Sequence, residues 1–219
     1  MIAWVYENAR QAPCLDHLLV ATDSPEIEDY CREQRIPVLM TSREHKSGTD
    51  RLAEVMAKEP AAIYVNIQGD EPMITPDHVE RLLRPFSDDA TTQVSTLKVA
   101  IEAETAADRN VVKVVTDLAG RALYFSRALI PCDRDGSGKV QYFKHQGFYA
   151  FSAAALDTFH HLQPSPLEKL EKLEQLRYLE NGIDIEVVET PDDTIGVDTE
   201  EDLRRVEEYF RRVHSQSER

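Results

Sequence analysis

The chain has 219 residues, 42% of them hydrophobic, enough to bury a core in one large domain or one domain with a smaller lobe. Its formal net charge of −15 at pH 7 argues against nucleic acid and anionic membranes as partners, since both are held by clustered Lys and Arg. No run approaches the roughly 18 apolar residues of a membrane span, the first ten residues lack the order of a signal peptide, and three cysteines without CxxC spacing (Cys14, Cys31, Cys132) suit a reducing, cytoplasmic compartment and no structural zinc.

Strand and helix patterns alternate through the first hundred residues. His17 to Ala21 is a short apolar run, and Ser24 with Pro25 then opens a helix as N-cap and first position. Val38 to Met40 is another short run, and Thr49 to Glu59 reads as a helix. Ala62 to Ile67 is β-branched and apolar, as a buried parallel strand is. Thr75 and Pro76 start the next helix, and Gln93 to Ile101 is a further strand. This βαβ punctuation predicts an α/β fold with a mostly parallel sheet flanked by helices.

The middle of the chain differs. Val111 to Thr116, Ala122 to Phe125 and Phe148 to Phe151 read as strands with no helices between them, which predicts a small β-rich lobe. One long helix is expected from Pro166 to about Glu180, closed by Asn181-Gly182, with Leu167, Leu170, Leu173, Leu176 and Leu179 as core or interface. Ile183 to Glu189 returns as a strand and Thr199 starts a terminal helix. Without repeats or linkers, residues 1–219 read as a single unit.

Three polar clusters fall at strand ends, where open α/β sheets bind ligands. Gln68-Gly69-Asp70-Glu71-Pro72 follows the strand of residues 62–67 and offers a carboxylate for a hydrated divalent cation, or simply a turn that caps the next helix. Gly196-Val197-Asp198-Thr199 precedes the last helix; Thr199 with Asp202 makes a cap, which leaves Asp198 unexplained. His45 to Arg51 joins a strand to a helix, and its small residues expose N–H groups to an anion or a base edge, or form only a capped loop. Asp135 to Lys139 lacks the spacing of a phosphate loop and reads as a mobile turn, and His160-His161 as a solvent-facing helix end. An anionic ligand would need a local basic pocket or a cation to offset the global charge.

Seven stretches in order resemble the 3-deoxy-manno-octulosonate cytidylyltransferase (CMP-Kdo synthetase) family. They are VATD (20–23), HKSGTDRLAEV (45–55), VNIQGDEPMI (65–74), ALYFSRALIPCDRD (122–135), HQGFYAF (145–151), QPSPLEKLEKLEQLR (163–177) and GVDTEEDL (196–203). Met1 to Ala9 aligns with the family's PMIxxVYExA stretch, so relative to the family the chain is expected to lack a first strand and a phosphate loop, about 25 to 30 residues. The resemblance implies a nucleotide-diphospho-sugar transferase type of fold. It implies an enzyme that joins CTP to 3-deoxy-manno-octulosonate with release of pyrophosphate, in lipopolysaccharide biosynthesis.

By the same resemblance Asp70 and Asp198 hold Mg2+, which fits an ion that takes few protein carboxylates. Arg127 and Arg134 would face the sugar carboxylate, for which the guanidinium fork is suited. Gln68, His145, Tyr149, Glu174 and Gln175 would read its hydroxyls, and Ser47, Gly48 and Arg51 would border the cytosine. On one continuous helix Glu174 and Gln175 would lie about 100° apart and off the leucine direction. Residues 111–160 would serve sugar binding and a homodimer contact. The competing readings are an enzyme for a nonulosonic acid, a non-catalytic subunit, and a glycosyltransferase of the DxD type, for which no DxD follows a strand.

Overall fold

The computed structural model describes residues 1–45, 47–197 and 199–217, with side chains through residue 212. The chain opens with α1 (Ile2–Ala9), β1 (Val20–Thr22), α2 (Pro25–Glu33), β2 (Val38–Met40), α3 (Gly48–Lys58), β3 (Ile63–Asn66), α4 (Pro76–Asp88) and β4 (Val94–Ile101). It continues through α5 (Ala103–Ala106), β5 (Lys113–Thr116), β6 (Ala122–Ser126), β7 (Tyr142–Ser152), α6 (Ala153–His161), α7 (Pro166–Glu171), α8 (Leu176–Glu180), β8 (Ile185–Glu189) and α9 (Glu200–Ser217). Among the described residues no helix is long and apolar enough to cross a membrane.

The caps read from the sequence are formed. Ser24 Oγ accepts from the Ile27 N–H at 3.4 Å and starts α2 at Pro25. Thr75 and His78 form a reciprocal capping box ahead of α4, and Thr199 and Asp202 pair in the same way ahead of α9. In α4 the apolar residues Val79 and Leu82 are fully buried, and Leu83 and Phe86 join them against Leu97, Phe148 and Ala150. Each such side chain contributes roughly 1.5–3 kcal/mol on burial, so one Leu82→Ala change would undock the helix in part.

The sheet is mixed rather than mostly parallel. β1 and β2 run parallel and, among the described residues, pair only with each other, while the larger sheet has the order β6-β5-β7-β4-β8 with β3 also on β7. β4 and β8 are parallel, but β7 runs antiparallel to β3, β4 and β5. The predicted β-rich lobe is therefore continuous with the main sheet: β7 is 11 residues long and holds it together. One edge of β7 pairs with β4, while the other pairs with β5 and then β3. A cleft of about 980 Å3 is lined by Val20 and Ala21 of β1 and by Tyr64 and Val65 of β3.

The expected long helix from Pro166 to Glu180 is broken. Lys172 takes a left-handed conformation (φ 58°), closing α7, and α8 restarts at Leu176. A repeat of three drifts around an α-helix of 3.6 residues per turn, so five leucines cannot share one straight face. The break puts Leu173 and Leu176 into the core and leaves Leu170 exposed. A buried pair holds the two pieces: both Nε and the Nη2 of Arg177 donate to the Glu168 carboxylate, the former at 2.8 Å.

Candidate active site

The carboxyl end of β3, the amino end of α3 and the α7–α8 break meet. Ser47 Oγ caps α3 by accepting from the Asp50 N–H at 3.1 Å, leaving the following turn open to a ligand at a helix N-terminus. A Cβ on Gly48 would stand 2.9 Å from Gln68 Nε2 and 3.4 Å from Asn66 Nδ2, so glycine there is what lets Gln68 approach. Thr49 Oγ1 donates to Glu174 Oε2 at 3.1 Å. Burial holds the Glu174 carboxyl above the usual carboxylate range, against the opposing pull of Thr49 and Ser47. Glu174 thus sits in the break between two helices, and buried Gln175 is the N-cap residue of α8.

β7 supplies the floor. Asn66 and Thr96 are the register partners of Tyr149 on its two sides. The register shift beyond Thr96 leaves Gly147 and Phe148 as extra residues, a bulge where Thr96 Oγ1 donates to the Phe148 carbonyl at 2.7 Å and lies 3.2 Å from the flanking Gln146 carbonyl. His145 lies 3.0 Å from Thr96 Oγ1 by its Nε2, with its ring tilted on Tyr149 at 5.4 Å between centroids. Burial drives its pKa down to about 3, so the imidazole is neutral. The hydroxyls of Tyr149 and Tyr178 are buried without a hydrogen-bond partner among the described residues. Burial raises both phenols, joined at Tyr149 by the Glu174 charge and opposed at Tyr178 by Arg177, and both remain donors. Orphan donors beside a carboxyl can receive the oxygens of a polyhydroxylated ligand.

Half-buried Asp70 stands where the turn after β3 meets the loop before α9. Its carbonyl accepts from the Val197 N–H at 2.8 Å, and Asn8 Nδ2 donates to the Pro72 carbonyl at 2.8 Å. Beside it burial carries the Glu71 carboxyl up to about 7. Asp198, the second carboxylate expected for a metal, lies outside the described residues. Among the described residues no three His, Cys, Asp or Glu side chains gather to hold a metal. A single carboxylate at a strand end still fits magnesium, which keeps water and ligand phosphate in most of its positions.

The arginines are placed differently from one another. Arg51 turns toward the ends of β1 and β2, donating to Thr41 Oγ1 and to the Ser42 carbonyl at 3.4 Å and pairing with Asp23 at 3.3 Å. Arg127 is fixed to α7, its Nε donating to the Glu171 carbonyl at 3.0 Å and its N–H to Glu171 Oε2 at 3.0 Å. Arg134 is exposed on the loop between β6 and β7, and no hydrogen bond or ion pair among the described residues joins it to the others. The structure therefore brings together Ser47, Gly48, Gln68, His145, Tyr149 and Glu174, with Gln175 behind them.

Sequence reasoning missed Thr49, Asn66, Thr96 and Tyr178. Asn66 was legible as the one amide inside an apolar strand, and Tyr178 stands four residues after Glu174. Thr96 carried no local signal, because its role depends on a bulge in another strand.

The family model described as cytidylyltransferase matches residues 1–185. The 3-deoxy-manno-octulosonate cytidylyltransferase of Koribacter versatilis is 54% identical over 211 residues, 96% of this chain and 80% of that protein. That of Acidobacterium capsulatum is 54% identical over 210 residues, 96% of this chain and 85% of that protein. A solved CMP:2-keto-3-deoxy-manno-octonic acid synthetase complexed with CTP superposes with a TM-score of 0.91 at 43% identity, covering 99% of this chain and 88% of that one. A putative glucose-1-phosphate thymidylyltransferase from Bacillus anthracis shares only the fold, with a TM-score of 0.63 at 14% identity. The chain belongs to the cytidylyltransferase family, among the 3-deoxy-manno-octulosonate cytidylyltransferases.

Proposed function

We propose that the chain transfers the cytidylyl group of CTP to the anomeric hydroxyl of 3-deoxy-manno-octulosonate, giving CMP-Kdo and pyrophosphate for lipopolysaccharide biosynthesis. The bond from the anomeric oxygen to the α-phosphorus forms as the bond to pyrophosphate breaks. The observation that carries this reading is the meeting of Gln68, Gly48 and Glu174 with the unpartnered, buried Tyr149 hydroxyl at the end of β3, in a chain of this family. The relatives' names supply the sugar and the CTP complex supplies the nucleotide.

Within that site Gln68, His145, Tyr149, Glu174 and Gln175 bind the sugar hydroxyls, and Arg127 and Arg134 its carboxylate. Ser47, Gly48 and Arg51 border the cytosine. Asp70 and Asp198 would hold a divalent cation, Mg2+, which when bound would neutralise charge on the phosphate oxygens. Burial of the surrounding polar groups lets each hydrogen bond act at lower dielectric than in water. Exposed Leu118, Leu123 and Leu129 in residues 111–160 support a homodimer contact. Cys14, Cys31 and Cys132 are free, which suits the cytoplasm.

Phosphorus nuclear magnetic resonance tests the reaction directly. With CTP, Mg2+ and the octulosonate, the α-phosphorus signal should be replaced by that of a sugar phosphodiester together with free pyrophosphate. A nucleoside monophosphate appearing instead would show hydrolysis and would overturn the transfer.

A further inference from the structure

Glu71 has no place in the substrate set, yet within the Gln68–Pro72 turn it is half-buried and its carboxyl oxygen Oε2 is shielded from solvent. Thr194 hydrogen-bonds its carboxyl, and Lys144 stands close enough to act on its charge. Gly196 passes so near that a Cβ there would stand 3.2 Å from Glu71 Oε1. Glu71 Oε2 is buried with no hydrogen-bond partner among the described residues. The loop it meets is tied down from the sheet as well. Lys144 Nζ donates to Asp193 Oδ1 and to the Thr194 carbonyl, both at 2.7 Å, and Gln146 Nε2 donates to the Asp192 carbonyl at 2.8 Å. The last tie, from the Val197 N–H to the Asp70 carbonyl, ends on the half-buried residue read as the metal ligand. Glutamate is rarely buried, and its desolvation costs free energy that must be offset by what it holds.

We propose that Glu71 is a positioning residue: it clamps the Asp70 turn to loop 192–197 and so sets the affinity for the divalent cation, not for sugar or nucleotide. This rests on the reading of Asp70 as a metal ligand. The carboxyl group reaches the loop through Thr194 and the space left by Gly196, so its shape and acceptor oxygen matter more than its charge. Residues that orient a metal ligand commonly change metal affinity by roughly 10- to 100-fold when removed.

The test is Mn2+ binding to the chain in the presence of CTP, read by electron paramagnetic resonance of the free ion, beside CTP binding without metal. Glu71→Ala should raise the Mn2+ Kd about tenfold or more, and Thr194→Val about threefold, with CTP binding unchanged. Glu71→Gln, which keeps the volume and the acceptor, should restore the Kd to within about twofold of the native value. A native Kd in Glu71→Ala overturns the clamp, and so does Glu71→Gln as weak as Glu71→Ala, since the charge itself would then be the ligand. If Glu71→Ala does not fold, a native Kd in Thr194→Val decides against the clamp alone. Native Mn2+ binding in Asp70→Asn would instead remove the reading of Asp70, and the clamp with it.

Discussion

Thr96 Oγ1 lies 2.7 Å from the Phe148 carbonyl and 3.0 Å from His145 Nε2. A hydroxyl has one proton, and the carbonyl can only accept, so Thr96 donates to Phe148 and accepts from the imidazole. His145 is thereby the Nε2–H tautomer, with its Nδ1 lone pair left as an acceptor, the role that the proposed contact with a sugar hydroxyl requires. Nitrogen-15 chemical shifts of the ring should show a protonated Nε2 and an unprotonated Nδ1 at pH 7. The reverse assignment would remove His145 as an acceptor.

The same burial makes stability depend on pH. The folded-state pKa of His145 is lowered to about 3, against about 6.5 in an unfolded chain. As pH falls below about 6.5 the unfolded chain takes up a proton that the folded one does not, so stability is full above that value and is lost toward about 3. Between pH 7 and 5 the protein should lose about 2 kcal/mol more than His145→Gln in urea unfolding. Equal losses in the two proteins would place the imidazole in contact with water.

Gly48 offers a change with little cost to the helix. Gly48→Ala favours α3 by up to about 1 kcal/mol in propensity but pushes on Gln68 Nε2, 2.9 Å from the new Cβ. The melting temperature should hold, while the sugar KM rises on the order of tenfold, equivalent to about 1.4 kcal/mol. An unchanged KM would separate Gln68 from the sugar.

The pair Arg177–Glu168 fixes the break that presents Glu174. Their side chains are 8% and 10% exposed, so removing one partner leaves a buried charge. Arg177→Ala should cost about 3–5 kcal/mol by urea unfolding, and Arg177→Ala with Glu168→Leu should cost less than the single change. Additive losses would mean the two ions do not depend on each other.

Arg127 carries a prediction about which substrate it serves. Arg127→Lys loses the fork that holds the Glu171 carbonyl and that the proposed function sets against the sugar carboxylate. Steady-state kinetics should show the octulosonate KM raised about tenfold or more and the CTP KM little changed, since hydrogen bonds to charged groups contribute about 1.5–3 kcal/mol. The opposite split would exchange the two pockets.

Much of the fold was legible where one segment carries its own signal. Ser24-Pro25 and Thr75-Pro76 named helix starts, and the apolar run at 62–67 named β3. β7 was seen only at Phe148 to Phe151, because His145, Gln146 and Gly147 serve the site and the bulge rather than an alternating pattern. The α7–α8 break was hidden by leucines whose spacing of three still looks helical over short windows, and Lys172 gives no hint of its left-handed turn. Site residues such as Gln68 and Glu174 came from motifs. That Thr49 and Gly48 bring those two together depends on packing between elements more than a hundred residues apart, which no local pattern records.

The most direct test of the proposed reaction is the sugar dependence of pyrophosphate release. The chain should be assayed with CTP and Mg2+ alone, with 3-deoxy-manno-octulosonate, and with a nonulosonic acid such as N-acetylneuraminate. Release should require the octulosonate and be lost in Asp70→Asn. Release that proceeds equally with the nonulosonic acid, or with no sugar at all, would contradict the proposed reaction.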